Sequence, residues 1–306
     1  MSSIQPPIDP VTPVELPVRV EPKFVKHQLT IGDWTITGFT QILLIIWTLL
    51  VVFPFLWMVM TSLKTDAEII HSPWDLPATL QWDNFSRAWN EARIGRYFIN
   101  TLIVLSMSLT GTLIISSMAA YVLSRFEFIG RRFLFYLFLA GLMFPVFLAL
   151  VPLSFLVGDL GLTATYHGLA LVYIAYSLPF TIFFMTGFFK SLPSEVAEAG
   201  IIDGANHYQV FFQIMLPMAK SGLIAMGIFN FIGQWNQFLL PLVLMPNPDR
   251  YMLSQGLQFL AIQQGYGNDY SALFAALVIT MIPTLIVYVL FQRRLESGLT
   301  AGALKG

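Results

Sequence analysis

The four histidines, His27, His71, His167 and His207, stand far apart, and no two of them have metal-ligand spacing. There is no cysteine, which excludes thiolate metal sites, disulfides and a cysteine nucleophile. No G-x-x-x-x-G-K-S/T run occurs, so the loop that cradles nucleotide phosphates is missing, and no nucleophile–base set can be assembled. Two polar groupings remain. Asn230, Gln234 and Gln237 recur at i, i+4 and i+7 on one helical face. Amides so placed either line a water-filled path or hydrogen-bond neighbouring helices, and the spacing leaves both open. Glu195, Glu198 and Asp203 put three acids within nine residues.

The elements that must carry these groups are apolar. Only 11% of the 306 residues are charged and 56% are hydrophobic, whereas soluble domains carry about a quarter charged residues. Six apolar runs have bilayer length: Phe39–Met60, Phe98–Leu123, Phe133–Val157, Gly168–Phe189, Gly222–Met245 and Ala272–Phe291. In the first, fourteen of 22 residues are Leu, Ile, Val or Phe, and inserting them gains about 4 to 8 kcal/mol. Lipid leaves backbone groups no partner outside the segment, so each run is expected to be a helix. No Asp, Glu, Lys or Arg falls inside any run, which disfavours proton-coupled carriers, since these place ionisable groups at membrane depth. Pro54, Pro145, Pro152, Pro179, Pro241 and Pro283 lie within the runs and are expected to bend them.

Orientation follows from the basic residues. With the N-terminus cytoplasmic, eleven of sixteen Lys and Arg fall inside, among them Arg125, Arg131, Arg132, Lys190 and Lys220. Lys64, Arg87, Arg93, Arg96 and Arg250 fall outside. The expected fold class is therefore an all-α integral membrane protein with six transmembrane helices and both termini cytoplasmic. Residues 1–35 read as a disordered, Pro-rich cytoplasmic tail, since 1–22 hold six prolines and no apolar core of the kind a secretory signal needs. The first transmembrane helix is expected over 36–62, an extracytoplasmic loop over 63–97, the main transmembrane core over 98–293 and a cytoplasmic tail over 294–306. The net charge of −1 offers no basic stripe for nucleic acid.

The inner segment 190–220, between the fourth and fifth runs, reads as a helix–turn–helix. Ser191 is expected to cap the first helix, with Pro193 and Glu195 in its first turn. Gly204 offers the left-handed conformation that ends a helix, and Asn206 a cap for the next. Val210, Phe211, Ile214 and Met215 then share an apolar face. The acids argue for a protein partner rather than lipid, whose anionic headgroups attract Lys and Arg.

Here the sequence resembles a known family. Glu198-Ala199-Gly200, three residues, Gly204, nine residues and Ile214-Met215-Leu216-Pro217 is similar to the EAA loop of bacterial ABC-transporter permeases, with Gly200 in place of the second alanine. Ser62-Leu63-Lys64, Asn84-Phe85, Asn100-Thr101, Trp235-Asn236-x-Phe238 with Pro241-Leu242, and Gly298-Leu299-Thr300-Ala301-Gly302-x-x-Lys305-Gly306 resemble the second permease subunit of maltose-type carbohydrate importers.

The resemblance implies a type I importer subunit that is not itself an enzyme and binds no cofactor, with ATP and Mg on partner subunits. The implied partners are a second permease in a heterodimer, two ATPase subunits, an extracytoplasmic solute-binding protein and membrane lipid. It assigns ATPase coupling to Glu195, Glu198, Ala199, Gly200, Asp203, Gly204 and Pro217, with the two small residues allowing close approach. Candidates for a sugar-compatible pathway are Asn100, Tyr173, Tyr176, Asn230, Gln234, Trp235, Asn236 and Gln237, because aromatic faces and amides suit hydroxylated rings. The loop 62–97, with Trp74, Trp82 and Trp89, is expected either to meet the solute-binding protein or to pack on its own bundle. The alternatives are a permease for a polyol, glycerol phosphate or similar solute, a stand-alone secondary transporter or channel, and, more remotely, an intramembrane enzyme.

Overall fold

The computed structural model describes residues 31–267 and 269–303, with side chains for 37–262 and 269–292. Most of the expected N-terminal tail, together with Lys305 and Gly306, lies outside the described residues. The described elements are all helical: α1 (Ile31–Thr61), α2 (Asp66–His71), α3 (Asp83–Ser86) continuing into a π turn (Arg87–Glu91), α4 (Ile94–Arg125), α5 (Arg131–Met143), α6 (Val146–Asp159), α7 (Tyr166–Ser191) and α8 (Ser194–Ile202). Then follow α9 (His207–Gln209), a π turn (Val210–Met215), α10 (Leu216–Met218), α11 (Lys220–Trp235), α12 (Leu239–Leu244), α13 (Leu253–Gly267) and α14 (Tyr270–Ala303). α1 thus begins inside the stretch read as tail. At the other end, α14 runs as far as Ala303 through the stretch expected as the C-terminal tail. No proline follows Pro283 there, and an interior glycine such as Gly298 costs a helix only about 1 kcal/mol.

The chain divides into Met1–Phe53 and Pro54–Gly306. In the first, the apolar side chains of the α1 segment from Phe39 to Phe53 are exposed, as suits a lipid-facing helix.

α1, α4, α7 and α14 contain continuous apolar stretches long enough to cross a bilayer. The third and fifth expected spans are different. α5 and α6 meet at 103°: Phe144, forced out of the helical region by the proline after it, has ψ 122°, and Pro145 itself has ψ 105°. The run expected as one helix over Gly222–Met245 stops at Trp235 and resumes at Leu239. The Asn236 amide donates to the Ile232 carbonyl, and the Gln237 side-chain oxygen accepts from the Phe238 N–H, so both side chains compete with helical bonding. Pro241 has no N–H for the Gln237 carbonyl, which accepts from the Ser254 hydroxyl at 2.7 Å.

Within Pro54–Gly306, α4 and α7 form the most extensively packed helix pair among the described elements. Small residues of α4 make the approach possible: Ser108, Thr112, Ser116, Ser117 and Ala120 are all buried. At one end of α4, Arg96 and Arg93 pair with Asp249, Asn100 donates to the Asp249 and Tyr251 carbonyls, and Arg250 donates to the Ala164 carbonyl. At the other end, Arg125 donates to the Phe189 and Leu192 carbonyls, and Tyr121 packs on Phe211. The 32 residues of α4 span about 48 Å. The segments expected on opposite sides of a membrane therefore gather at opposite ends of this helix.

The segment 62–97 is folded onto the Asp249 end of the bundle. Lys64 is fully buried and donates to the Ser72 and Pro73 carbonyls, while Asn84 donates to those of Ser62 and Lys64. Asp66 accepts from Ser271, and Arg87 pairs with Asp269 at 3.2 Å, tying the segment to the start of α14. Trp74, Leu76, Leu80 and Trp82 stay exposed.

Candidate functional site

The segment 190–220 forms the helix–turn–helix that its capping residues call for, with one correction. Ser191 does not cap α8; it ends α7, and its hydroxyl donates to the Phe188 carbonyl at 2.8 Å. Pro193 holds Leu192 extended (ψ 144°) and itself occupies the N-cap position, so α8 starts at Ser194. Glu195 sits in the first turn, where the helix dipole favours a negative charge.

Gly204 has φ +89°, and α8 closes with the Gly204 N–H on the Ile201 carbonyl and the Ala205 N–H on that of Gly200. That is the Schellman pattern, which needs a residue at ease with positive φ. Asn206 and Gln209 then make a reciprocal capping box for α9. Pro217 offers no N–H to the Gln213 carbonyl; the backbone before it widens into the π turn, and the chain bends by 73° after Met218 into α11.

Burial separates the two helices. Val210, Phe211 and Met215 are buried among Tyr121, Met185, Phe188 and Phe189 from the ends of α4 and α7, with Ile214 packed against this cluster. Glu195, Glu198, Ala199, Asp203 and Gly204 are exposed. Gly200 is buried: a Cβ placed there would lie 2.5 Å from Ile214 Cδ1. Its lack of a side chain serves packing inside the segment, so Ala199 is the small residue left to the surface.

The polar stripe of α11 faces a cavity of about 490 Å³, lined also by α7 and by the α5–α6 and α11–α12 breaks, within the size range of small-molecule sites. Tyr173, Tyr176, Asn230, Gln234 and Gln237 all line it, with Phe144, Phe147, Phe180 and Phe229 supplying aromatic surface. Asn230 and Gln234 also bond neighbouring helices, whereas Gln237 lies past the end of α11, off the continuous helical face expected for it, and its side-chain oxygen accepts from the adjacent Phe238 N–H. The Ser108 hydroxyl donates to Gln234 Oε1 at 2.6 Å, and Gln234 Nε2 donates to Ser177, linking α11 to α4 and α7. Asn230 Nδ2 donates to Thr181 Oγ1 and to the Met226 carbonyl. Irregular backbone beside this cavity fits the rule that unwound segments of membrane proteins border a cavity or protein rather than lipid.

Three pathway candidates do not line the cavity. Asn100 is a clamp, donating to two carbonyls and accepting from the Tyr166 hydroxyl at 2.8 Å. Trp235 is buried, stacked on Phe231, and its indole N–H donates to the Thr280 carbonyl. Asn236 is exposed and bonded to its own helix. The sequence reading missed Ser108, Ser177 and Thr181, whose signal was present: Ser108, Thr112 and Ser116 recur every four residues in one apolar run, and Ser177 and Thr181 are four apart in another.

The family model of binding-protein-dependent transport system inner membrane components matches residues 111–301. The chain belongs to that family. This permease is 48% identical over 274 residues to the diacetylchitobiose uptake system permease protein NgcG of Streptomyces coelicolor, covering 90% of this chain and 91% of that protein. It is 36% identical to the arabinooligosaccharides transport system permease protein AraQ of Halalkalibacterium halodurans, over 90% of this chain and 97% of that one. In fold it matches a chain from the crystal structure of a bacterial ABC transporter involved in import of the acidic polysaccharide alginate. The TM-score is 0.76 at 22% identity, covering 86% of the permease and 98% of that chain. The permease is thus an inner-membrane transport component.

Proposed function

We propose that the permease forms half of the translocation pathway of an ATP-binding-cassette importer for a sugar or oligosaccharide. The solute is delivered by an extracytoplasmic solute-binding protein. ATP and Mg are bound by two separate ATPase subunits, and a second permease completes the pathway. In this reading the chain crosses the membrane six times, the bent pairs counting as one span each, with both termini and the segment 190–220 cytoplasmic.

The observation that carries the coupling role is α8: an exposed, acid-bearing helix held at a fixed angle by a buried partner helix and a closed turn. A lever that transmits force must be stiff, and this one is braced by Ile214 against Gly200. Glu195, Glu198 and Asp203 meet polar groups of the ATPase, Ala199 allows close approach, Gly204 sets the turn and Pro217 the junction with α11. The substrate class rests on the relatives named above and on a cavity that combines tyrosine and phenylalanine faces with amides and carries no charged side chain. Such a lining suits a neutral hydroxylated ring. On the opposite end, Trp74, Leu76, Leu80 and Trp82 present the surface for the solute-binding protein.

The test is reconstitution in proteoliposomes with the partner permease, the ATPase and the binding protein. Oligosaccharide uptake should require ATP on the ATPase side. Uptake by this chain without any ATPase subunit would overturn the reading. Gly204→Asp should insert in the membrane yet lose the ATPase; full substrate-stimulated hydrolysis in that variant would sink the docking assignment.

A further inference from the structure

A second cavity, of about 650 Å³, lies at the α8 end, where the turn between α4 and α5 meets the end of α7. Arg131, Arg132 and Lys190 all line it, against one carboxylate, Glu127. Arg131 is committed within the chain: its Nε donates to the Leu123 carbonyl at 2.9 Å, and its guanidinium lies 3.9 Å from Glu127, which is itself 95% exposed. Arg132 has no hydrogen-bond or ion-pair partner among the described residues, and Lys190 meets only the Phe135 ring, 5.7 Å from its centroid. Three cations therefore converge on one cavity with little to neutralise them.

The backbone adds to the imbalance. α5 begins at Arg131 behind Gly130, whose φ is +90° and which gives no side-chain cap. The positive end of the helix dipole thus coincides with two arginines, an arrangement that repels itself until an anion arrives. The surroundings of the cavity bear on the source of that anion. The cavity closes the ends of two helices long enough to cross a bilayer, α4 and α7. Phe133 and Tyr136, which line it, are 69% and 62% exposed, and an exposed tyrosine is a common residue at the headgroup level.

We propose that this cavity binds the phosphate of an anionic phospholipid headgroup, with Arg132 and Lys190 as its principal ligands and Phe133 and Tyr136 against the upper acyl chain. The site is distinct from the transport cavity and does not depend on which solute is carried. It holds the α4–α5 turn and the end of α7, from which α8 is suspended, to the membrane surface.

The experiment is native mass spectrometry of the assembled transporter titrated with dioleoylphosphatidylglycerol and, separately, dioleoylphosphatidylcholine. Wild type should retain the anionic lipid in preference. Arg132→Gln and Lys190→Gln should each weaken that retention about five-fold, and the double variant about twenty-five-fold. Arg132→Lys should keep it, which separates lost charge from misfolding. Lys220→Gln, an equal charge change outside the cavity, should have no effect. Retention unchanged in the double variant, or reduced equally by Lys220→Gln, would overturn the site. Displacement of the lipid by inorganic phosphate at equal concentration would reassign the site to a free anion and overturn the lipid assignment.

Discussion

Gly200 of α8 lies directly against Ile214 of the following helix, so close that a methyl on the glycine would stand 2.5 Å from Ile214 Cδ1. The contact sets the angle between the exposed helix and its buried support. Gly200→Ala gains about 1 kcal/mol in helix propensity, and the flexible Ile214 δ-methyl can withdraw, so the variant is expected to be near neutral. Gly200→Leu has no such escape and should destabilise by about 1–3 kcal/mol. Thermal unfolding of the assembled transporter, paired with its substrate-stimulated ATP hydrolysis, checks both. Equal melting of wild type and Gly200→Leu would refute the brace.

Arg125 donates from one nitrogen to the Phe189 and Leu192 carbonyls, 2.8 and 2.7 Å away. Those carbonyls end α7, where the helix dipole also favours a cation. Arg125→Ala strands both, and a loss of about 1.5–3 kcal/mol is expected. Arg125→Lys keeps the charge and should recover part of it. Hydrogen exchange should show the loosening at 189–205 and leave the Asp249 end unchanged.

Tyr176 and Asn100 separate lining from clamping. Tyr176, 49% exposed, faces the cavity beside α11 and makes no side-chain hydrogen bond among the described residues. Tyr176→Ala should reduce oligosaccharide uptake by up to about ten-fold while leaving the melting temperature nearly unchanged. Asn100→Ala frees the Asp249 and Tyr251 carbonyls and the Tyr166 hydroxyl, and should cost about 1–3 kcal/mol of stability without altering solute selectivity. The opposite pattern in uptake and melting would exchange the two roles.

Glu68 ties α2 to the strand of chain that follows it. The Thr65 backbone N–H, the Ala78 N–H and the Thr65 hydroxyl all donate to its carboxylate and hold it below the usual carboxylate range. A lowered carboxyl contributes stability that is present above the unfolded value of about 4.3 and is lost as pH falls through the folded value. Protection of the Thr65 and Ala78 amides should therefore be greater in wild type than in Glu68→Gln at neutral pH. The difference should vanish once pH drops below the folded value. A difference that survives at low pH would contradict the carboxylate latch.

Much of segment 190–220 was legible in its sequence because its determinants are local. A cap at Asn206 finds Gln209 three residues on, Gly204 needs only its own φ, and the apolar face of Val210, Phe211 and Met215 follows from helical period. Ser191 misled because two competing local bonds were available to it, and the choice lay with Pro193. The cavity-lining residues were legible only as a list. Asn230 and Gln234 share a face by period, but whether an amide lines a space depends on helices elsewhere in the chain. Gln234 is bonded to Ser108, Asn100 to Asp249, and Trp235 to Thr280.

The sequence by itself determined that this chain lives in a membrane and that its inner loop resembles that of a transport permease. Charge-free runs of bilayer length and the spacing from Glu198 to Pro217 are properties of the chain order, and solvent transfer and helical period convert them into structure directly. Only the tertiary structure decided where the spans break, which polar groups open on the cavity and which are clamps. It also decided that the glycine departing from the family pattern makes room for Ile214. These depend on which surfaces meet after folding, and a side chain's neighbours on other helices leave no mark on its local pattern.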